Sequence, residues 1–296
     1  MRAASRPAPR KPEAELKIIR RPDGRAEMFV IDEPWDPVHA ERFADGTCDG
    51  LVVGAPTDRK AGPDLAFLPG LTGLRSLRVL KGIADLSPVA RCTGLERLRL
   101  PASAARALDL SGLVNLRELE IPWPAGARSV HALTSVEDLV ITRWKGESLS
   151  VLGDKPALRS LRIESVRNHV TDAKGAALLP GLDELRFYDG RLARAELLSG
   201  AAALTDVSLL STKTDAIDFV AGLPRLRRLE LENSGEIASL APLAAHPALR
   251  EVVISGSTRV ADGDLSPLVD NSRLTFVAVE RGHAHDSHAP HEVRKG

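Results

Sequence analysis

Apolar and polar residues alternate in short stretches that recur along most of the chain. The pattern L-x-x-L-x-L reads LRSLRV (74–79), LERLRL (95–100), LRELEI (116–121), VEDLVI (136–141) and LRSLRI (158–163). It continues as LDELRF (182–187), LTDVSL (204–209), LRRLEL (226–231), LREVVI (249–254) and LTFVAV (274–279). These ten copies begin 20 to 25 residues apart, and a degenerate eleventh, CDGLVV (48–53), precedes them. A two-residue period of apolar and polar side chains is the mark of a half-buried strand. Between the copies run segments such as ADLSPVARCTGL (84–95), whose apolar residues Leu86, Val89, Cys92 and Leu95 recur every third position. That spacing suits a short 3₁₀ turn better than a full helix. One strand and one tight turn cannot bury their own apolar face, but stacked copies can, so the pattern predicts a solenoid with a continuous core.

The repeats resemble the leucine-rich repeat family in its short, bacterial, internalin-like form, with D-L-S-P-L (264–268) between strands. The resemblance runs over 48–280. It implies an α/β solenoid: a right-handed arc with a parallel β-sheet on the concave face and short 3₁₀ or irregular segments on the convex face. It also implies a non-enzymatic protein-interaction module. The family places Asn or Cys three residues after the last strand leucine. Here that position holds Gly82, Ser103, Pro124, Trp144, Val166, Gly190, Thr212, Ser234, Ser257 and Gly282, so the asparagine ladder is missing.

The ends read differently. Residues 1–13, rich in Arg, Pro and Ala, form a lead-in without a core pattern. Residues 14–47 form an N-terminal hairpin-helix cap. In it, ELKIIRRPDGRAEMFVID (15–32) has two β-type runs around Pro-Asp-Gly, and DPVHAERF (36–43) opens with an Asp cap and a first-turn Pro. Residues 281–296 are a polar, His-rich tail. The last apolar strand, LTFVAV, has no evident cap, so either the tail or another chain covers its edge.

Composition narrows the function. Forty basic and forty acidic residues cancel, so no global field draws the chain to nucleic acid or an anionic membrane. The two cysteines, Cys48 and Cys92, form neither a disulfide framework nor a zinc pattern, and both fall at apolar positions of their repeats. No run approaches the ~18 apolar residues of a spanning helix. The expectation is a soluble cytoplasmic protein. There is no phosphate loop, nucleophile elbow or H-E-x-x-H motif, which predicts no enzyme activity and no cofactor. The tail residues His283, His285, Asp286, His288 and His291 could collect a transition metal, but without defined geometry they read as a solvated segment.

The binding surface is expected on the concave face and its rim. Arg78, Arg97 and Arg99 make the first repeats basic, Glu118 and Glu120 turn the next acidic, and Arg162 and Arg186 restore positive charge. Aromatics are only 3% of the chain, yet Trp123 and Tyr188 fall along one rim, with Arg143 in the same column as Trp123 and spaced for a cation–π contact. The partner implied is a protein, with the chain acting as an inhibitor or immunity-type protein. The alternative is a scaffold that assembles through its C-terminal edge strand. A monomer is expected, with an edge-to-edge dimer as the other outcome.

Overall fold

Leucine and isoleucine recur at every second strand position, and a computed structural model of the chain shows what they build. It describes residues 16–55, 63–214 and 216–280, together with the backbone of 293–294. The chain divides between Ser103 and Ala104 into two units.

In the first unit, β1 (Lys17–Arg20) and β2 (Ala26–Ile31) pair antiparallel around the Pro22-Asp23-Gly24 turn. Gly24 adopts φ +82°, and Asp23 accepts the Arg25 amide at 3.0 Å. Strand β2 then pairs in parallel with β3 (Gly50–Gly54), which pairs with β4 (Ser76–Val79), and β4 with β5 (Arg97–Arg99). The parallel register starts at the second arm of the hairpin, which stacks Met28, Leu51, Leu77 and Leu98 in one buried row. Between β2 and β3 lies α1 (Pro37–Ala44). Its N-cap Asp36 accepts the His39 amide at 3.1 Å, and the Asp36 amide donates to His39 Nδ1 at 3.2 Å. This is a reciprocal capping box with histidine in the usual Glu place. Trp35 stacks on Phe67 with centroids 4.1 Å apart.

The second unit repeats the parallel rung. Strands β6 (Glu118–Pro122), β7 (Asp138–Trp144) and β8 (Ser160–Ser165) are joined by β10 (Glu184–Tyr188), β12 (Asp206–Leu210) and β13 (Arg228–Glu232). Then come β15 (Glu251–Ser255) and β17 (Phe276–Val279). A short helix α2 (Trp123–Gly126) follows β6, and α3 (Ser266–Asp270) precedes β17. Away from the main sheet, β9 (Val170–Asp172) pairs with β11 (Arg191–Ala193), and β14 (Glu236–Ile237) with β16 (Arg259–Val260). Most returns are single 3₁₀ segments, among them Val130–Ala132, Asp218–Gly222 and Ala241–Leu243. In the D-L-S motif the carboxylates of Asp85, Asp109 and Asp264 accept the amide two residues on, at 2.9 to 3.0 Å. That Asx turn sets the entry to the return segment.

The C-terminal edge is occupied from within the chain. Strand β18 (Val293–Arg294) pairs antiparallel with β17, Phe276 opposite Arg294 and Val277 opposite Val293. Of the two covers the sequence allows for this edge, the chain's own Val293–Arg294 lies along Phe276 and Val277. The histidines of the tail lie outside the described residues.

Hydroxyls replace the missing asparagine ladder in the later repeats. Thr212 Oγ1 donates to the Phe187 carbonyl (2.9 Å), Ser234 Oγ to Leu209 (2.8 Å) and Thr258 Oγ1 to Leu231 (3.2 Å). Each reaches the same inward residue of the preceding strand, and Thr258 Oγ1 also accepts the Ser234 amide at 3.0 Å. All three side chains are fully buried. In the last rung Thr258, not Ser257, takes the place. A buried carbonyl needs a donor, and a short hydroxyl supplies one where an amide would.

Candidate functional site

Alternation sends every second side chain of β6–β17 away from the core, and parallel pairing aligns these side chains into rows. One row runs Glu118, Asp138, Ser160, Glu184, Asp206, Arg228, Glu251 and Phe276. The next runs Glu120, Val140, Arg162, Arg186, Ser208, Glu230, Val253 and Ala278. Neighbours in a row stand ~4.8 Å apart, the inter-strand spacing. This outward sheet face is the candidate site of the second unit.

Its charges are tied together. Arg162 pairs with Glu164 at 2.7 Å, and Arg186 pairs with Glu184 on its own strand. Arg228 bridges Glu251 (2.8 Å) and Glu230 (3.3 Å), while Ser208 Oγ donates to Glu230 at 3.0 Å. Arg162 and Arg186 therefore do not restore a positive zone, because each is neutralised by a carboxylate two residues away on the same face. Glu164, overlooked in the sequence reading, lies in the next outward position of LRIES. The signal that could have found it is the i, i+2 spacing of opposite charges along a strand.

Tyr188 is half-buried at the end of β10, beside Leu210 in register, and the Arg162 guanidinium lies over its ring at 4.8 Å. The structure thus brings Arg162, Arg186 and Tyr188 together. Glu118 and Glu120 stand on β6, at the far side of the same unit's sheet.

Trp123 is not on a strand; it is the first residue of α2, half-buried, with its ring 4.4 Å from that of Trp144 and tilted by 57°. Trp144 is fully buried, and its indole Nε1 donates to Thr171 Oγ1 at 2.8 Å. The reason is a bulge in β7: Ile141 is level with Ile163, but Trp144 with Ser165, so three steps on one strand match two on the other. Arg143, at φ +53°, absorbs the extra residue and stays exposed, while Trp144 turns inward. Trp123 thereby acquires a packing task that alternation alone did not reveal. Gly146 belongs to the same cluster, since a Cβ there would lie 2.3 Å from Trp144 Cζ2.

Arg78, Arg97 and Arg99 lie in the first unit. Arg78 and Arg99 are exposed and level with one another on β4 and β5. Arg97 is half-buried and bonded to Asp23 of the hairpin turn at 3.3 Å. Around it Arg21 pairs with Glu27 (3.0 Å) and Asp49 (2.8 Å), and Arg25 with Glu96 (2.9 Å). The basic zone of that unit is thus partly an internal ion network that fastens the hairpin.

Other titratable groups sit in the core. Burial pushes the Cys92 thiol up to about 11 and raises that of Cys48, so both behave as small hydrophobes. Lys155, His246 and Asn271 occupy the position at which other repeats carry Leu113 or Leu223, and all three are buried. Lys155 Nζ donates to the carbonyls of Leu152 (2.7 Å) and His131 (3.1 Å), and burial holds its amine down at about 8. His246 Nε2 donates to Leu223 O at 3.0 Å while Nδ1 accepts the Leu249 amide at 3.1 Å, so the ring is held in one neutral tautomer. Asn271 Nδ2 donates to Leu243 O at 2.8 Å. Among the described residues no group of three His, Cys, Asp or Glu side chains is arranged to hold a metal. Among them, too, no helix is long and apolar enough to cross a membrane.

The parallel rungs, the 3₁₀ returns and the buried ladder together define an α/β solenoid of the leucine-rich-repeat class. Solved structures of that class superpose on the chain. An internalin of Listeria monocytogenes matches with a TM-score of 0.57 at 16% identity, over 88% of this chain and 82% of the internalin. A leucine-rich-repeat protein of Leptospira interrogans matches with a TM-score of 0.59 at 13% identity, over 86% and 72%. A plant peptide hormone receptor, RGFR1 in complex with RGF2, matches with a TM-score of 0.51 at 17% identity, over 79% of this chain and 40% of the receptor. At these identities the likeness is one of fold. No protein-family model matches the chain, and no curated protein matches it by sequence.

Proposed function

We propose that this protein is a non-enzymatic binding module that holds a protein partner against the outward face of its parallel sheet. The observation that carries this reading is the face itself. Its side chains are ordered into rows by the strand register, and they include Tyr188 and the arginines Arg162 and Arg186. Aromatic and arginine side chains on a rigid platform are the groups that most often carry binding energy. A plant peptide hormone receptor in complex with RGF2 is among the structural neighbours, which supports by analogy of fold a protein or peptide partner for this chain. Within this reading the chain serves as an inhibitor or immunity-type protein, a rigid body that masks a surface of its target.

The test is capture from a native extract with the full chain and with an Arg186→Glu/Tyr188→Ala variant. Both side chains point away from the core, so the variant should keep its thermal midpoint. A protein retained by the parent and lost by the variant supports the reading. A protein retained equally by both removes the face from consideration.

A further inference from the structure

We infer that the outward sheet face of the second unit takes a cationic, extended protein segment with apolar residues among its Arg and Lys. The inference rests on the binding-module reading above and names the chemistry of the partner.

The main-sheet strands β6, β7, β8, β10, β12, β13 and β15 carry nine carboxylates and four arginines, all at outward positions or at the Arg143 bulge. The chain as a whole is neutral, so this excess is local to the face. Three of the arginines already have carboxylate partners on the face, Arg162 with Glu164, Arg186 with Glu184, and Arg228 with Glu230 and Glu251. With nine carboxylates against four arginines, these strands carry a negative surplus. Register then places like charges side by side: Glu118 beside Asp138, and Glu184 beside Asp206. Like charges on adjacent strands weaken the free sheet, and a cation laid across them relieves that repulsion. A polyanion such as nucleic acid would meet the opposite situation.

The face also has apolar footholds between its carboxylates. Tyr188 and Leu210 are level with one another and half-buried, and Phe276 is 45% exposed. The Tyr188 ring already holds one guanidinium at 4.8 Å, which shows how its face attracts cations. An occupant that alternates basic and apolar side chains answers both features: its cations meet Glu118, Asp206 and Glu232, and its apolar groups meet Tyr188 and Leu210.

The experiment uses the full chain and three labelled peptides of equal length, built from repeats of Arg-Ser-Leu, Gln-Ser-Leu or Glu-Ser-Leu, with fluorescence anisotropy as the readout. Two double variants carry the same change in net charge. Glu118→Lys/Glu232→Lys lies on the face, and Glu196→Lys/Asp218→Lys lies on the 3₁₀ returns. The Arg peptide is expected to bind the parent, to weaken with rising salt, and to lose about tenfold or more on the face variant. It should change by no more than about twofold on the return variant. Equal losses on both variants would show a response to net charge alone and overturn the inference. So would failure of the Arg peptide to bind the parent. Equal binding of the Gln peptide, abolished by Tyr188→Ala, would also overturn the cationic class while leaving the binding-module reading intact. That reading stands or falls by the separate capture experiment.

Discussion

The repeats around β6–β8 and those around β10–β15 close the same corner of the solenoid with opposite chemistry. In the later stretch the ladder position carries Thr212, Ser234 and Thr258, small side chains that each give one hydrogen bond to a buried carbonyl. In the earlier stretch it carries Trp144, which fills the corner with an indole, packs on Trp123 and finds a buried partner in Thr171. The first solution depends on hydrogen-bond geometry and tolerates a regular repeat. The second depends on volume and needs a glycine at 146 to make room, while the left-handed turn at Arg143 is shared with Ser211 and Asn233 of the later rungs. A missing asparagine ladder therefore does not mean a missing ladder. It means that the same backbone requirement is met by whatever side chain can reach it.

Removing the aromatic corner should do the most damage. Trp144→Ala deletes a fully buried indole and should cost roughly 3–5 kcal/mol in urea unfolding, through the cavity it leaves. A cost below 1 kcal/mol would show that Trp123 collapses into the space. The hydroxyl corner should be weaker per residue. Ser234→Ala leaves the Leu209 carbonyl without its donor and should cost about 1–3 kcal/mol. If Ser234→Ala matched Trp144→Ala, hydrogen bonding would outweigh volume and the contrast between the stretches would fail.

The return segments sharpen the comparison through pH. The Lys155 amine sits at about 8 against an ordinary 10.5, so the unfolded chain binds that proton more tightly than the fold does. Stability should fall as pH drops from 10.5 to 8 and level off below. Lys155→Met should flatten that alkaline slope, as read from unfolding midpoints across the range. In the later stretch burial lowers His246 below its ordinary 6.5. Its penalty begins only as pH falls through 6.5, so an acid slope should survive in Lys155→Met. A Lys155→Met chain that lost both slopes would show that the two sites are not independent.

The smallest effect is expected at the bulge itself. Arg143→Gly removes the strain of a left-handed arginine but adds freedom to the unfolded chain, so stability should stay within about 0.5 kcal/mol. A larger loss would assign the turn to the Arg143 side chain and not to its backbone.

Much of the architecture is legible in the spacing of leucines, because a two-residue period leaves one choice of inward face. Leu116, Leu119 and Ile121 follow directly from LRELEI and are buried. The corner chemistry is less legible. The repeat alignment puts Thr212 and Ser234 at the ladder position. Serine and threonine are ordinary surface residues, however, so their type alone does not mark them as core donors, and a bulge at Arg143 leaves no compositional trace. Lys155 and His246 could have been noticed, since each is polar in an otherwise apolar column. Residue types on the face are legible in the sequence, but its ion pairs depend on which rotamers meet. Arg162 and Arg186 looked like a positive zone for that reason, although each is held by a glutamate on its own strand.

The burial of the two thiols has a practical consequence. Cys48 and Cys92 are the only cysteines in the chain, and both lie in the first unit. A thiol-reactive probe applied in short pulses should therefore report the opening of that unit alone, while in a Trp35→Phe chain the emission of Trp123 and Trp144 follows the second. One chain with a single substitution then carries two separate clocks, and comparing them would tell whether the two units open together or one before the other.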